Sequence, residues 1–274
     1  MTLLSVSDLR KSFGGVQAVA GISFEVDPGE AVAIIGPNGA GKTTCFNMLG
    51  GQLRPDGGQI EVDGQNIAGR PPHVMCRFGI ARTFQVAATF RSMSVREHIQ
   101  VTLLSHGRRL GGLWRPLKKQ MVAEADAVLA RVGLIEQAER AAAALAYADL
   151  KRLELAMALV CEPRLLLLDE PTAGMAGGER HALMDLAGGL VHRQGMSMLF
   201  TEHDMDVVFG HADRIIVLHH GAVVAEGSPE QIRADAMVQQ IYLGAGAGSG
   251  IGTGSGAGAG TGIGIGIGTG RQVS

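Results

Sequence analysis

GPNGAGKTT, at residues 36–44, follows a short apolar run at 31–35 and leads into a segment whose apolar residues recur at helical spacing. The stretch completes the pattern of G, four residues, G, K and then S or T. Its glycines allow turns in which successive amide N–H groups point inward, and the N-terminus of the following helix adds its dipole. The order strand, glycine loop, helix therefore predicts a phosphate-binding loop, and a glycine-rich turn with a chance lysine is the alternative.

The loop supplies the predicted nucleotide contacts. Lys42 is expected to neutralise the terminal phosphates, and the Thr43 hydroxyl is placed to bind a Mg²⁺ ion that bridges the β- and γ-phosphates. The predicted phosphate-binding residues are Gly36, Pro37, Asn38, Gly39, Ala40, Gly41, Lys42, Thr43 and Thr44.

A second motif lies at 165–170, where four leucines are followed by Asp169 and Glu170. An apolar strand that ends in two carboxylates is the usual second half of a phosphate-loop site. Asp169 is expected to hold Mg²⁺ through water, and Glu170 to polarise the water that attacks the γ-phosphate. A strand that merely leads into an acidic turn is the alternative, and the glycine loop at 36–44 argues against it.

Bulk properties exclude several classes of function. The 274 residues suit one compact unit with a second subdomain, and a net charge of -2 with a pI near 6.5 gives no field for gathering nucleic acid. Cys45, Cys76 and Cys161 show no C-x-x-C spacing, which predicts small buried thiols with neither a metal nor a disulfide role. No leader and no segment of membrane-spanning length is evident, so we expect a soluble cytoplasmic chain whose membrane spans, if needed, come from another polypeptide.

The order of patterns along the chain predicts the fold class. Short β-like pieces at 3–6, 16–19 and 22–26, joined by one at 57–64, predict an N-terminal antiparallel β subdomain. Alanine-rich helical patterns at about 92–160 predict an inserted α-helical subdomain. Apolar strands then follow at 165–168, 198–201 and 215–218, as in a buried parallel sheet. The predicted class is α/β, a P-loop NTPase core with helices around a parallel sheet, over residues 1–243; the glycine-rich remainder, 244–274, is predicted to be disordered.

These motifs together resemble the ATPase subunit of an ATP-binding cassette (ABC) transporter, over roughly residues 3–243. The resemblance implies ATP and Mg²⁺ as cofactors. It also implies that Gln85, in ARTFQ, senses Mg²⁺ and the γ-phosphate and touches the membrane subunit. His203, in LFTEHD, matches a histidine that contacts the γ-phosphate, and Phe13 matches an aromatic ring that stacks on adenine.

The family signature, LSGGQ, is altered in this chain. The matching residues are Leu145, Ala146, Tyr147, Ala148 and Asp149. The hydroxyl that would bond the γ-phosphate is absent at Ala146, and a hydrogen bond to a charged group is worth roughly 1.5 to 3 kcal/mol. The stretch 173–176 also lacks the aspartate that is common in the family. We therefore expect a weakened composite site, and a heterodimer with a second ABC ATPase subunit that carries a complete signature.

Several segments resemble importer subunits for branched-chain amino acids and related amides or urea, namely those at 13–16, 81–85, 90–99 and 212–235. The resemblance implies transmembrane permease subunits and a separate substrate-binding protein as partners, no nucleic acid, and a peripheral place on the cytoplasmic face of the inner or plasma membrane. The basic segment with a tryptophan at 107–119 could lie near lipid headgroups, but a solvated surface loop is favoured.

Two other functions remain open at this point. A soluble cassette ATPase that acts on ribosomes or DNA would normally carry two cassettes or an extra domain. A P-loop phosphotransferase would need an acceptor pocket and would leave Gln85, His203 and the helical insertion unexplained together.

Overall fold

Two β-sheets form the framework in the computed structural model, which describes residues 2–83, 92–107 and 120–244. Their strands are β1 (Leu4–Phe13), β2 (Val16–Val26), β3 (Ala31–Ile35), β4 (Gly57–Val62), β5 (Gln65–Asn66), β6 (Ile80–Arg82), β7 (Leu165–Asp169), β8 (Ser197–Thr201), β9 (Arg214–His219) and β10 (Ala222–Gly227). The first sheet is antiparallel, in the order β2-β1-β4-β5, and the second has the order β10-β9-β3-β8-β7-β6.

Strands β1 and β2 are longer than the sequence pattern predicted. They are continuous over 10 and 11 residues, whereas the pattern indicated separate short pieces. Asp8, with φ of 49°, interrupts the alternation of β1, and the pairing with β2 shifts register between Val6 and Leu9. Such a bulge breaks the sequence period of two without ending the strand. The predicted piece at 57–64 does join this sheet, because β4 pairs antiparallel with β1.

The second sheet is parallel except for its edge strand β10, and each of its central strands is buried on both faces. In β3, Ala31, Ala33 and Ile35 face one hydrophobic core, while Val32 and Ile34 face another. Side chains alternate across a strand, so a run of consecutive apolar residues can serve two cores at once. The first core lies under the helices, and the second lies between the two sheets.

The described helices are α1 (Lys42–Leu49), α2 (Pro72–Met75), α3 (Val95–His106), α4 (Val122–Arg131), α5 (Tyr147–Leu159), α6 (Gly177–Gln194), α7 (Met205–His211), α8 (Pro229–Ala234) and α9 (Ala236–Gly244). Helices α3, α4 and α5 fall in the predicted insertion and pack on one another. None of the helices in the described ranges combines the length and apolar character needed to cross a bilayer. The predicted α/β fold class with a P-loop core is confirmed, whereas the tail prediction falls outside the described residues beyond Gly244.

The expectation of separate buried thiols is wrong for two of the three cysteines. Cys76 and Cys161 are joined by a disulfide across a sequence separation of 85, with Cα atoms 6.2 Å apart, and only Cys45 is a free buried thiol. Each of the paired cysteines stands four residues before a strand, and Ile80 of β6 pairs with Leu165 of β7. The parallel register of the two strands therefore brings the two cysteines together, which spacing along the chain does not reveal.

Candidate nucleotide-binding site

The glycine loop runs from the end of β3 to the start of α1, as the motif predicted. All three of its glycines have positive φ: 152° at Gly36, 82° at Gly39 and 103° at Gly41. A Cβ at Gly36 would collide with the carbonyl oxygen of Leu218, and one at Gly41 with that of Ala18. These positions need glycine because the loop passes directly against the backbone of neighbouring strands.

Lys42 is folded back into this loop. Its side chain is buried, and Nζ donates hydrogen bonds to the carbonyl oxygens of Gly36 at 2.6 Å and Pro37 at 3.2 Å. Burial lowers the pKa of Lys42, while the negative charges of Glu170 and Asp169 act in the opposite direction. The predicted lysine and both predicted carboxylates are therefore close enough for their charges to interact.

Asp169 ends β7 and is held on both oxygens. Thr201 donates its hydroxyl to Oδ1 at 2.9 Å, and Arg82 donates a guanidinium N–H to Oδ2 at 2.7 Å. Arg82 also donates to Asn47 at 2.8 Å and Gln52 at 2.6 Å, so the carboxylate is linked through Arg82 to α1 and to the turn that follows it. No sequence motif indicated Arg82 or Thr201. Thr201 ends a predicted strand, and that position was a signal that could have found it, whereas Arg82 ends β6, a strand of three residues that the pattern does not reveal.

Replacing Arg82 with Gln is expected to lower the free energy of unfolding by about 3 kcal/mol, since breaking a buried ion pair leaves the partner charge uncompensated. The side chains of Arg82 and Asp169 are only 11% and 3% exposed. Chemical denaturation of the two proteins measures the difference. The control is Arg10→Gln, because Arg10 pairs with Asp8 where both side chains are more than half exposed. Equal losses in the two variants would contradict a structural role for the buried pair.

Glu170 and His203 lie together. The distance from Glu170 Oε1 to His203 Nε2 is 2.8 Å, and the His203 side chain is half exposed. Glu170 has a φ of 50°, and its N–H donates to the carbonyl and hydroxyl oxygens of Thr201 at 3.2 and 3.0 Å. A carboxylate residue in this left-handed conformation is held there by its surroundings, which is typical of functional turns.

The turn after Glu170 is fixed by Glu202, a buried acid that no sequence motif indicated. Glu202 Oε1 accepts hydrogen bonds from the N–H and hydroxyl of Thr172 at 2.8 and 2.7 Å. Glu202 stands next to His203, so this contact joins the segments that carry the two predicted catalytic residues.

A C-terminal tyrosine also reaches the glycine loop, and no sequence signal indicated it. Tyr242 of α9 lies close to the backbone of Gly36, and burial raises the pKa of its hydroxyl to about 12. The described part of the chain therefore covers the start of the loop with its last helix.

The structure shows less about the two remaining residues that were predicted to contact the nucleotide or its metal ion, Phe13 and Gln85. Phe13 ends β1 and is 49% exposed, with Lys11 Nζ 5.6 Å from the centre of its ring. It belongs to the same β1–β2 hairpin as Ala18, whose carbonyl faces Gly41. Gln85 lies outside the described residues, two positions beyond Thr83.

The altered signature stands at the start of α5. Ala146 is the residue before the helix and offers no side-chain cap. Tyr147 donates its hydroxyl to the carbonyl oxygen of Ala173 at 3.0 Å, which ties the signature to the stretch that lacks the common aspartate. Asp149 accepts a hydrogen bond from Gln137 at 2.7 Å and lies 3.8 Å from Arg152, so its charge is partly compensated within the chain.

Comparison with known proteins places these motifs in context. The family model described as ABC transporter matches residues 19–173. The chain is 42% identical, over 251 residues, to the high-affinity branched-chain amino acid transport ATP-binding protein LivG of Escherichia coli K12, covering 88% of this chain and 98% of LivG. It is 41% identical over 249 residues to BraF of Pseudomonas aeruginosa, which has the same description, with 88% and 98% coverage. Among solved structures, the ADP conformation of MJ1267, an ATP-binding cassette of an ABC transporter, superimposes with a TM-score of 0.81 at 31% identity, covering 89% of this chain and 99% of that one.

Proposed function

Because the chain belongs to the ABC transporter family and is an ATP-binding, ATP-hydrolysing subunit that energises a membrane importer, we propose that the importer carries branched-chain amino acids or related small amides. The observation that supports this cargo is the 42% identity that extends over nearly the full length of LivG. The cargo itself passes through membrane subunits, so the proposal concerns the transporter that this chain powers.

Within the chain, the phosphate groups of ATP are assigned to the loop at 36–44. Inward amide groups and the start of α1 bind phosphate oxygens, and Lys42 supplies the neutralising cation. The surrounding residues fit Mg²⁺, which prefers oxygen ligands: Thr43 is an exposed hydroxyl, and the Asp169 carboxylate is already oriented on both oxygens. Mg²⁺ would neutralise charge on the phosphates, and Gln85 is assigned as a further ligand.

The catalytic step is assigned to Glu170. Its carboxylate accepts a proton from the attacking water, as a general base. His203 contacts this carboxylate at 2.8 Å, and we assign to it the roles of orienting Glu170 and of contacting the γ-phosphate. The Glu202–Thr172 contact limits the motion of the turn that carries Glu170. The exposed ring of Phe13 is assigned to adenine.

The subunit works with membrane permeases and is peripheral to the membrane. The proposed location is the cytoplasmic face, with a separate substrate-binding protein supplying the cargo. We assign the chain to a heterodimer of two ATPase subunits, since Ala146 and Ala148 replace the serine and glycine of the signature. In this arrangement the partner supplies a complete signature to the nucleotide on this chain.

A reconstitution experiment tests the cargo and the assembly together. The chain is co-expressed with candidate permease subunits and a candidate second ATPase subunit, and the purified complex is placed in liposomes with Mg-ATP inside or outside. We expect leucine, isoleucine or valine uptake that requires ATP on the ATPase side, and a native mass that corresponds to one copy of this chain. Uptake restricted to unrelated solutes would overturn the cargo. Two copies with full ATPase activity would overturn the heterodimer.

A further inference from the structure

Three side chains with metal-binding atoms meet away from the nucleotide site. Cys76 lies in the 3₁₀ turn Cys76–Phe78 after α2, His106 is the last residue of α3, and Cys161 follows α5. Their ligand atoms, two sulfurs and one imidazole nitrogen, lie within 4.8 Å of one another. His106 Nδ1 is 3.4 Å from Cys76 Sγ. We refer to these three residues as the Cys–His cluster.

The cluster lies beside a cavity of about 230 Å³ between the helical insertion and the nucleotide core. Both cysteines line this cavity and are half-buried, while the neighbouring His106 is exposed. Met75 and Met157 also line it, so the surroundings of the two sulfurs are largely apolar. A half-buried pair of sulfurs next to a solvent-accessible imidazole gives a metal ion both a low-dielectric site and a path of entry.

The disulfide in this structure is one of two states that the cysteines can adopt. Two equivalents of a small cytosolic thiol such as glutathione can reduce it by thiol–disulfide exchange, which supplies the two electrons and two protons, yields two protein thiols and leaves the small thiol as its own disulfide. Cytosolic thiols are kept reduced, and cysteine clusters in cytosolic proteins more often bind metals or do chemistry than form structural bridges. The relevant state at the cytoplasmic location proposed above is therefore the dithiol.

The reduced cluster has the composition of a zinc site. Zn²⁺ takes cysteine sulfurs at about 2.3 Å and histidine nitrogens at about 2.0 Å in tetrahedral geometry, which separates two sulfurs by about 3.8 Å. Rotation of the two side chains can reach that spacing, because the Cα atoms of the cysteines are 6.2 Å apart. Binding would release the two thiol protons and leave a fourth position for water.

Because of the position of the Cys–His cluster, a bound ion would connect the helical insertion to two strands that lead to the nucleotide site. Cys76 and Cys161 each precede a strand, β6 and β7, and those strands end at Arg82 and Asp169 in the nucleotide site. His106 belongs to α3, which packs against the other helices of the insertion. The disulfide joins only the segments that precede β6 and β7, whereas a metal ion would also join helix α3 of the insertion to those segments.

We propose that, in the reduced chain, Cys76, Cys161 and His106 form a binding site for a zinc-class divalent cation that ties helix α3 to the starts of strands β6 and β7. The sequence expectation of no metal role rested on spacing along the chain, and the ligands are brought together by strand pairing instead.

Cobalt binding to the full-length reduced protein tests this proposal. The protein is reduced with a phosphine, freed of metal, and titrated anaerobically with Co²⁺ in the absence of nucleotide. We expect one Co²⁺ per chain with sulfur-to-cobalt charge-transfer absorption, and displacement by Zn²⁺. A cobalt ion at the oxygen ligands near Asp169 gives no such absorption, so the two sites are distinguished.

Variants assign the ligands. Cys76→Ser and Cys161→Ser are each expected to weaken Co²⁺ binding more than tenfold and to lower the charge-transfer absorption, and His106→Ala to weaken binding as well. Cys45→Ser is the matched control, because Cys45 is a fully buried thiol outside the cluster. If a variant does not fold, the reduced unmodified protein is alkylated with and without Zn²⁺ and analysed by mass spectrometry. Zn²⁺ should then protect Cys76 and Cys161 from alkylation.

Three results would overturn the proposal. These are absence of sulfur-to-cobalt absorption in the reduced protein, equal absorption in all three cysteine variants, and a Cys76–Cys161 disulfide that persists in excess reduced glutathione. The last result would mean that the thiols are not available in a reducing compartment. None of these outcomes depends on ATP hydrolysis or on the identity of the cargo.

Discussion

Replacing Glu170 with Gln is expected to lower ATP turnover about a hundredfold or more and to leave ATP binding nearly unchanged. An amide of the same size cannot accept the proton of the attacking water, and loss of a general base has this usual scale. The Lys42 contacts with Gly36 and Pro37 do not involve Glu170, so the phosphate loop should keep its form. Phosphate release under saturating Mg-ATP measures turnover, and calorimetry measures binding.

The control for this substitution is Glu61→Gln, which makes the same chemical change in β4 of the antiparallel sheet. Its turnover should equal that of the unmodified chain. Because we propose a composite site formed by two subunits, both proteins must be assayed in the assembled transporter. Full turnover by the Glu170→Gln assembly would remove Glu170 from the catalytic role.

Replacing Lys42 with Met should weaken ATP binding by about 10- to 100-fold. The substitution keeps an unbranched side chain in a buried position but removes the cation, and hydrogen bonds to charged groups are worth roughly 1.5 to 3 kcal/mol. The effect should be larger for ATP than for adenosine, since Lys42 is assigned to the phosphates. Calorimetric titration with each ligand provides the comparison.

Thermal unfolding of the Lys42→Met chain shows whether the loop remains folded, because Gly36 and Pro37 lose the donor to their carbonyl oxygens. Arg10→Met serves as a control that removes a cation from an exposed position. Equal ATP affinity in the Lys42→Met and unmodified chains would contradict the assignment of the loop.

The strands that the sequence predicted correctly are those marked by a local pattern, a short run of consecutive apolar residues. The apolar runs that became β3, β7, β8 and β9 are each a short stretch buried on both faces, and such runs are distinctive. Strand β6 was missed because it has only three residues and is defined by its pairing with β7. Its position, in turn, fixes where Arg82 meets Asp169.

Contacts between residues that are distant in the chain leave no local sequence pattern, which explains the parts of the site that were not predicted. The loop and the pair Asp169 and Glu170 are contiguous motifs, so their spacing carries the signal. The ion pair of Arg82 with Asp169 and the contact of Tyr242 with Gly36 join residues that are far apart in the chain. The Cys76–Cys161 pair is of this second kind, since the register of two strands creates it.

The alternation of β3 between two cores makes the folding of the molecule cooperative. Val32 and Ile34 pack in the core formed with the antiparallel sheet and α1, and Ala33 and Ile35 in the core formed with the later helices. Loss of either layer would expose one face of the strand that leads into the glycine loop, at a cost of roughly 25 cal/mol for each Å² of apolar surface. Binding of a ligand to the loop therefore stabilises both layers against unfolding, including strands that do not contact the ligand.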